Sequence, residues 1–257
     1  MQPTPDLLDA AHIALFLDVD GTLLHIRDDP ADVQADSTLM ATLRQCSANL
    51  DGALALVSGR AISEIDRIFE PDVFPAAGAH GAELRMHDGQ TVSADDIPLP
   101  QSALDALGRF VARHEGLLLE HKRGGVSLHY RRAPELETAC RDLVHQVLGT
   151  LGDAYRLIAG KMVYEIAPRS HSKGEAINTL LKSRPFTGRR PVFIGDDVTD
   201  EDGFRVVNQL GGVSIRVGDI ADSEARYTLA TIEDVRSWLQ DAILEHRTHH
   251  HQGDPQR

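Results

Sequence analysis

Residues 13–19, IALFLDV, form an apolar run with no polar residue until Asp18. A strand with one wet face alternates, whereas a strand covered on both faces reads as continuously apolar. Burial on both faces belongs to parallel sheets sandwiched by helices, so this one segment narrows the chain to an α/β architecture. The run then ends in a way that burial does not explain. Asp18 and Asp20 stand two apart among Leu, Phe and Val, and Gly21-Thr22 turn the chain away.

The same grammar repeats downstream. DSTLMATLRQCSANL (36–50) has helical periodicity behind a good N-cap residue, ALALVSGR (53–60) is a second strand that stops at Ser-Gly, and AISEIDRIFE (61–70) is a second helix. VFPAAGAHGAELR (73–85) reads as a third strand interrupted by glycines. RPVFIGDD (190–197) and GGVSIRVG (211–218) are further buried strands, with the helix DGFRVVNQL (202–210) between them. This βαβ succession predicts a parallel sheet with helices on both faces. Residues 98–168 break the rhythm with a helix, two alternating runs around Gly124-Gly125 that predict a hairpin, a second helix and the strand MVYEIAP. The expected organisation is therefore a core of residues 1–97 and 169–257, with a smaller α/β domain of residues 98–168 inserted into it.

Composition limits the partners. The 257 residues are 42% hydrophobic and 25% charged, enough for a sizeable core. The net charge of -13, with Lys and Arg scattered, argues against a nucleic-acid or an anionic-membrane partner. No cationic-then-apolar leader and no apolar run of membrane-spanning length occurs, and a cytoplasmic location is expected. Cys46 and Cys140 match no metal or redox spacing and read as reduced packing residues. The tail EHRTHHHQGDPQR reads as a frayed polar end.

In a parallel α/β sheet, ligands sit outside the carboxyl ends of the strands. Those ends carry the unusual residues: Asp18 and Asp20; Ser58, Gly59 and Arg60; Asp196, Asp197 and Asp200; with Lys173 and Gly174 opening a helix after the insertion. Several carboxylates that converge cannot all stay ionised without a cation, and an all-oxygen set with few protein ligands suits Mg²⁺. A lysine, a hydroxyl and free N–H groups at a Gly-rich strand end hold a phosphoryl group, and a carboxylate can attack phosphorus. Asp196–Asp202 is not a calcium loop, because Val198 interrupts the required alternation. Arg60 is open to two readings, a phosphate contact or an ion pair with a core carboxylate.

DVDGT, SGR, KG and GDDVTD, in this order, resemble the four motifs of the haloacid dehalogenase superfamily of phosphatases. The resemblance implies a Rossmann-like core with a C2-type α/β cap. It also implies that Asp18 forms an aspartyl-phosphate, that Asp20 protonates the leaving oxygen and later activates water, and that Ser58 and Lys173 hold the phosphate with Gly59 and Arg60 beside them. Mg²⁺ would be bound by Asp18, Asp196 and the carbonyl of Asp20, with Asp197 and Asp200 in or near its surroundings. GDDVTDED, AAGAHGAEL, LEHKRGGVSLHYR and YEIAP further resemble the trehalose-6-phosphate phosphatase family. There the cap positions matching Glu120, Lys122 and Glu165 hold sugar hydroxyls, a fitting chemistry because carboxylates accept and an ammonium donates. His80 and Gly81 are candidate substrate contacts, His80 serving equally well as a structural hydrogen-bonding residue. Ala79 departs from the Asn or His expected there. The resemblance thus implies a monomeric, Mg²⁺-dependent hydrolase of a phosphosugar, functionally linked to a trehalose-phosphate synthase. The alternatives are the same chemistry on sucrose phosphate or mannosyl-phosphoglycerate, or a phospho-accepting receiver or inactive regulatory domain. The receiver reading needs neither Asp20 nor a 70-residue insertion.

Overall fold

The computed structural model describes residues 12–27, 32–93, 98–122, 125–160, 162–219 and 222–241. The predicted hairpin residue Gly124, the junction residue Ile97 and the His-rich tail lie outside these. The chain divides into two compact units, residues 1–92 with 172–257, and residues 93–171.

The first unit is built on β1 (Ile13–Leu17), whose five residues are all buried. Around it lie α1 (Ser37–Asn49), β2 (Leu54–Val57), α2 (Ile62–Phe69), β3 (Ala76–Gly78), β4 (Glu83–Arg85) and β5 (Thr91–Ser93). After the insertion come α5 (Lys173–Leu180), β10 (Arg190–Gly195), α6 (Glu201–Gln209), β11 (Val213–Val217), β12 (Tyr227–Leu229) and α7 (Ile232–Leu239). The sheet order is β12-β11-β10-β1-β2-β3-β4-β5. β1 runs parallel to β10, from Ile13↔Arg190 to Leu17↔Ile194, and parallel to β2. Helices cover both faces, α1 packing with α7 and α5 with α6. Each fully buried side chain, such as Phe16 stacked on Phe186 at 5.5 Å, contributes roughly 1.5–3 kcal/mol. From β1 the chain winds outward to β2 and β3, and from β10 it winds the other way to β11 and β12. The crevice therefore opens at the carboxyl ends of β1 and β10.

The third strand differs from the sequence expectation. Residues 73–85 are two strands, because Ala79, His80 and Gly81 all take positive φ (47°, 54° and 99°) and fold β4 back antiparallel on β3. A glycine-rich apolar string carries no sign of that reversal.

The second unit holds α3 (Gln101–Val111), β6 (Leu118–Lys122), β7 (Gly125–His129), α4 (Glu137–Leu151), β8 (Tyr155–Gly160) and β9 (Val163–Pro168). Its antiparallel sheet runs β6-β7-β9-β8, with β6 and β7 paired as the hairpin predicts. The strand β8 is an addition to the sequence expectation. Leu128, Val126, Tyr164 and Ile166 alternate onto the face that packs with Leu107 of α3 and Cys140 and Val144 of α4. The opposite face carries, among others, the cross-strand row Glu120↔Ser127↔Glu165↔Ile158.

Candidate active site

The β1–β10 ladder continues one residue past β1, the Asp18 N–H donating to the Ile194 carbonyl at 3.0 Å. Asp18 is thus fixed by strand pairing at the mouth of the crevice, 4% exposed. The chain then turns: the N–H groups of Leu23 and Leu24 both donate to the Val19 carbonyl at 3.0 Å. Gly21 sits in that turn at φ +84°, where a Cβ would lie 2.1 Å from Oδ2 of Asp196. Both the backbone angle and the space demand glycine.

Opposite stands Lys173, the first residue of α5, behind the N-cap Ser172, whose hydroxyl accepts from Glu175 N–H at 3.1 Å. Its Nζ donates to Asp18 Oδ1 and to Asp200 Oδ1, each at 2.7 Å, and all three residues are buried. The remaining oxygen of Asp200 accepts from the N–H groups of Asp196 and Asp197 at 3.1 and 3.0 Å. Thr22 donates to Asp196 Oδ1 at 3.4 Å.

Asp18, Asp196 and Asp200 present carboxylate oxygens that all lie within 4.8 Å of one another. One ammonium faces three carboxylates. Burial pushes the Asp18 and Asp200 carboxyls upward, and Lys173 only partly offsets it. Asp196 is pushed to about 6, first by burial and then by the charges of Asp200 and Asp197. Burial works against the Lys173 ammonium, yet the two carboxylates beside it outweigh that and hold it charged. An all-oxygen cluster with surplus negative charge fits a hard divalent cation.

The other site residues fall into distinct places. The Asp20 carboxylate is outside the cluster of three, clamped by Arg60 through Nε at 2.6 Å and Nη2 at 2.7 Å. Arg60 thus forms an ion pair with Asp20, and the bidentate contact raises its basicity. Ser58 is buried at the end of β2, its N–H donating to Ala77 at 2.8 Å and its hydroxyl accepting from Arg60 N–H at 3.2 Å. Gly59 leaves room for the His80 ring, since a Cβ there would lie 2.6 Å from His80 Cε1. Gly81 approaches the carbonyl of Ser172, the residue that caps α5, where a Cβ would lie 2.6 Å from that oxygen. Asp197 caps the turn that follows it through Thr199 N–H, and its carboxylate is not one of the three. In the second unit, Ser127 donates to buried Glu165 at 3.0 Å, and Glu120 pairs with His129 at 2.8 Å. Lys122 pairs in register with Gly125, and its side chain is not described.

The ends of β1 and β10 and the start of α5 therefore bring together a buried carboxylate, a lysine and two further carboxylates. The profile described as trehalose-phosphatase matches residues 16–233. The chain belongs to the trehalose-phosphatase family. It is 42% identical over 245 residues to trehalose-6-phosphate phosphatase of Escherichia coli K12, covering 92% of this chain and 88% of that protein. It is also 42% identical to a probable trehalose-phosphate phosphatase of Sinorhizobium fredii, over 92% and 89% of the two chains. The crystal structure of a trehalose-6-phosphate phosphatase related protein shares the fold at TM-score 0.67 and 26% identity, covering 88% of this chain and 95% of that one. Membership makes the chain a phosphoric monoester hydrolase with a haloacid dehalogenase-like fold. Among the described residues no helix is long and apolar enough to cross a membrane.

Two arrangements escaped the sequence, one in each unit. Buried Arg216 of β11 reaches the Asp196 carbonyl, and Ser127 and His129 stand beside Glu165 and Glu120. For the latter pair the alternation of β7 was the available signal, because Ser127 and His129 share the face of Glu120.

Proposed function

We propose that the protein hydrolyses trehalose 6-phosphate to trehalose and phosphate through an aspartyl-phosphate on Asp18, with Mg²⁺ as cofactor. The observation that carries the chemistry is the buried Asp18 at the strand end, 2.7 Å from Lys173 and grouped with Asp196 and Asp200. Asp18 and Asp196, with the Asp20 carbonyl, would hold the Mg²⁺, which when bound neutralises the charge that the phosphoryl group adds.

A carboxylate oxygen of Asp18 forms a bond to phosphorus while the bond from phosphorus to the sugar oxygen breaks. Lys173 balances the charge of the transferred group, and Ser58 offers it a hydroxyl. Asp20, freed from the Arg60 clamp and protonated, gives its proton to the departing sugar oxygen. As a carboxylate it then takes a proton from water, whose oxygen attacks phosphorus and restores Asp18. Rigid placement matters, and Asp18 is held by the β1–β10 ladder itself.

The face of the second unit's sheet opposite its helices supports the choice of sugar. Glu120, Ser127 and Glu165 stand in one row, an array of acceptors and a hydroxyl suited to a polyol, and Lys122 would add a donor. The substrate would come from a trehalose-phosphate synthase, and the enzyme would act as a cytoplasmic monomer.

Phosphate release from trehalose 6-phosphate, sucrose 6-phosphate, glucose 6-phosphate and p-nitrophenyl phosphate, with Mg²⁺ and with chelator, tests this. Metal-dependent preference for trehalose 6-phosphate is expected. Equal rates on all four would keep the phosphatase and discard the named sugar.

A further inference from the structure

Arg216 is a charged residue 2% exposed, in a strand that reads as ordinary core. Its Nη2 donates to the Asp196 carbonyl at 2.5 Å, and its Nη1 to Glu201 Oε1 at 2.5 Å and the Asp197 carbonyl at 3.5 Å. Glu201 is itself fixed, accepting from Ser223 Oγ at 2.8 Å and Glu224 N–H at 2.7 Å. The guanidinium is thus aimed, not merely buried. Asp200 meanwhile binds the N–H groups of the same two residues.

The segment Asp196-Asp197 is therefore gripped on both sides, its donors by a carboxylate and its acceptors by a guanidinium. A buried guanidinium costs several kcal/mol when unpaired, so this one stays where its three acceptors are.

We infer that Arg216 is a positioning residue for the metal: by fixing the Asp196 and Asp197 carbonyls it holds the Asp196 carboxylate in the group it forms with Asp18 and Asp200. The inference rests on the Mg²⁺ reading above. Groups that orient a ligand from behind change metal affinity by about 10–100-fold when removed. A planar fork serves two carbonyls and a carboxylate at once, which an ammonium cannot do with the same geometry.

Calorimetric titration of the metal-free protein with MgCl₂ tests it, alongside the Mg²⁺ dependence of phosphate release. Arg216→Met is expected to weaken Mg²⁺ binding by about tenfold or more, and Arg216→Lys by a smaller factor. In both, kcat at saturating Mg²⁺ falls less than affinity does, which a merely damaged fold would not produce. A folded Arg216→Met that binds Mg²⁺ within twofold of wild type overturns the inference. Should that variant not fold, an unchanged dissociation constant in Arg216→Lys overturns it equally. Wild-type protein that takes up no Mg²⁺ would instead defeat the metal reading itself, and the inference with it.

Discussion

Acidification should release the metal before it unfolds the protein. Asp196 is pushed to about 6 by burial and by its carboxylate neighbours, and burial raises Asp18 in the same direction. Proton and cation compete for these oxygens. With one such group the apparent dissociation constant for Mg²⁺ scales as one plus ten to the power of the difference between pKa and pH, making binding at pH 5 about tenfold weaker than at pH 7. Asp18 steepens the dependence, so tenfold is a floor. The stability of the metal-free protein follows the same sign. A carboxyl raised in the folded state adds stability that is complete below its unfolded pKa and lost as pH climbs through the folded one. For Asp196 this is a loss of about 2.4 kcal/mol between pH 4 and pH 7, from a rise of about two units. Asp196→Asn should escape it, so in chelator its advantage over wild type should grow as pH rises. Calorimetric Mg²⁺ titrations at pH 5, 6 and 7, with urea unfolding in chelator, measure both effects. A dissociation constant that is the same at pH 5 and pH 7 would refute the reasoning, because the cluster would then not be the cation's seat.

Three further outcomes are expected. Asp18→Asn should lower turnover at least about 10³-fold while circular dichroism and thermal unfolding stay native, and wild-type rates would disprove covalent attack. Lys173→Met strips the counter-charge from Asp18 and Asp200, both within 2.7 Å and buried. It should cost about 3–5 kcal/mol in denaturant unfolding at pH 7, less at pH 4 where the stranded carboxyls take up protons. Ala79→Asn should raise stability by about 1 kcal/mol with activity kept, because Ala79 sits at φ 47°, a region that Asn tolerates better, and an unchanged or lower melting temperature would count against it.

Legible and hidden features of this chain divide by one physical rule, whether a residue's partners lie near it in the sequence. The α/β class, the succession of the core strands and the place of Asp18 were legible, because an apolar run that ends in paired carboxylates suits few architectures besides a buried parallel strand with a site at its end. Lys173 was legible only through its motif, since SHSKGEAI is an ordinary helix start and nothing local announces that α5 points it at Asp18. The reversal at Ala79–Gly81 was hidden because glycine permits many angles and reports none. β8 (YRLIAG) was hidden between a helix and a stronger strand pattern. Arg216 was invisible because two of its three partners are backbone carbonyls some twenty residues away, and a carbonyl has no letter in the sequence.

The pairing of β1 with β10 also sets an order of events during synthesis. Ile13 must wait for Arg190 before one edge of β1 is covered, and at ribosomal speeds of 5–20 residues per second that is roughly 10–35 s. Through that interval an apolar strand has a free edge, while the contiguous unit of residues 93–171 has all its own strands in hand. The strand that leads into Asp18 is made early, but Lys173, Asp196 and Asp200 emerge more than 150 residues later. A nascent or truncated chain is consequently silent toward phosphosugars, and the early strand is where a chaperone would find most to hold.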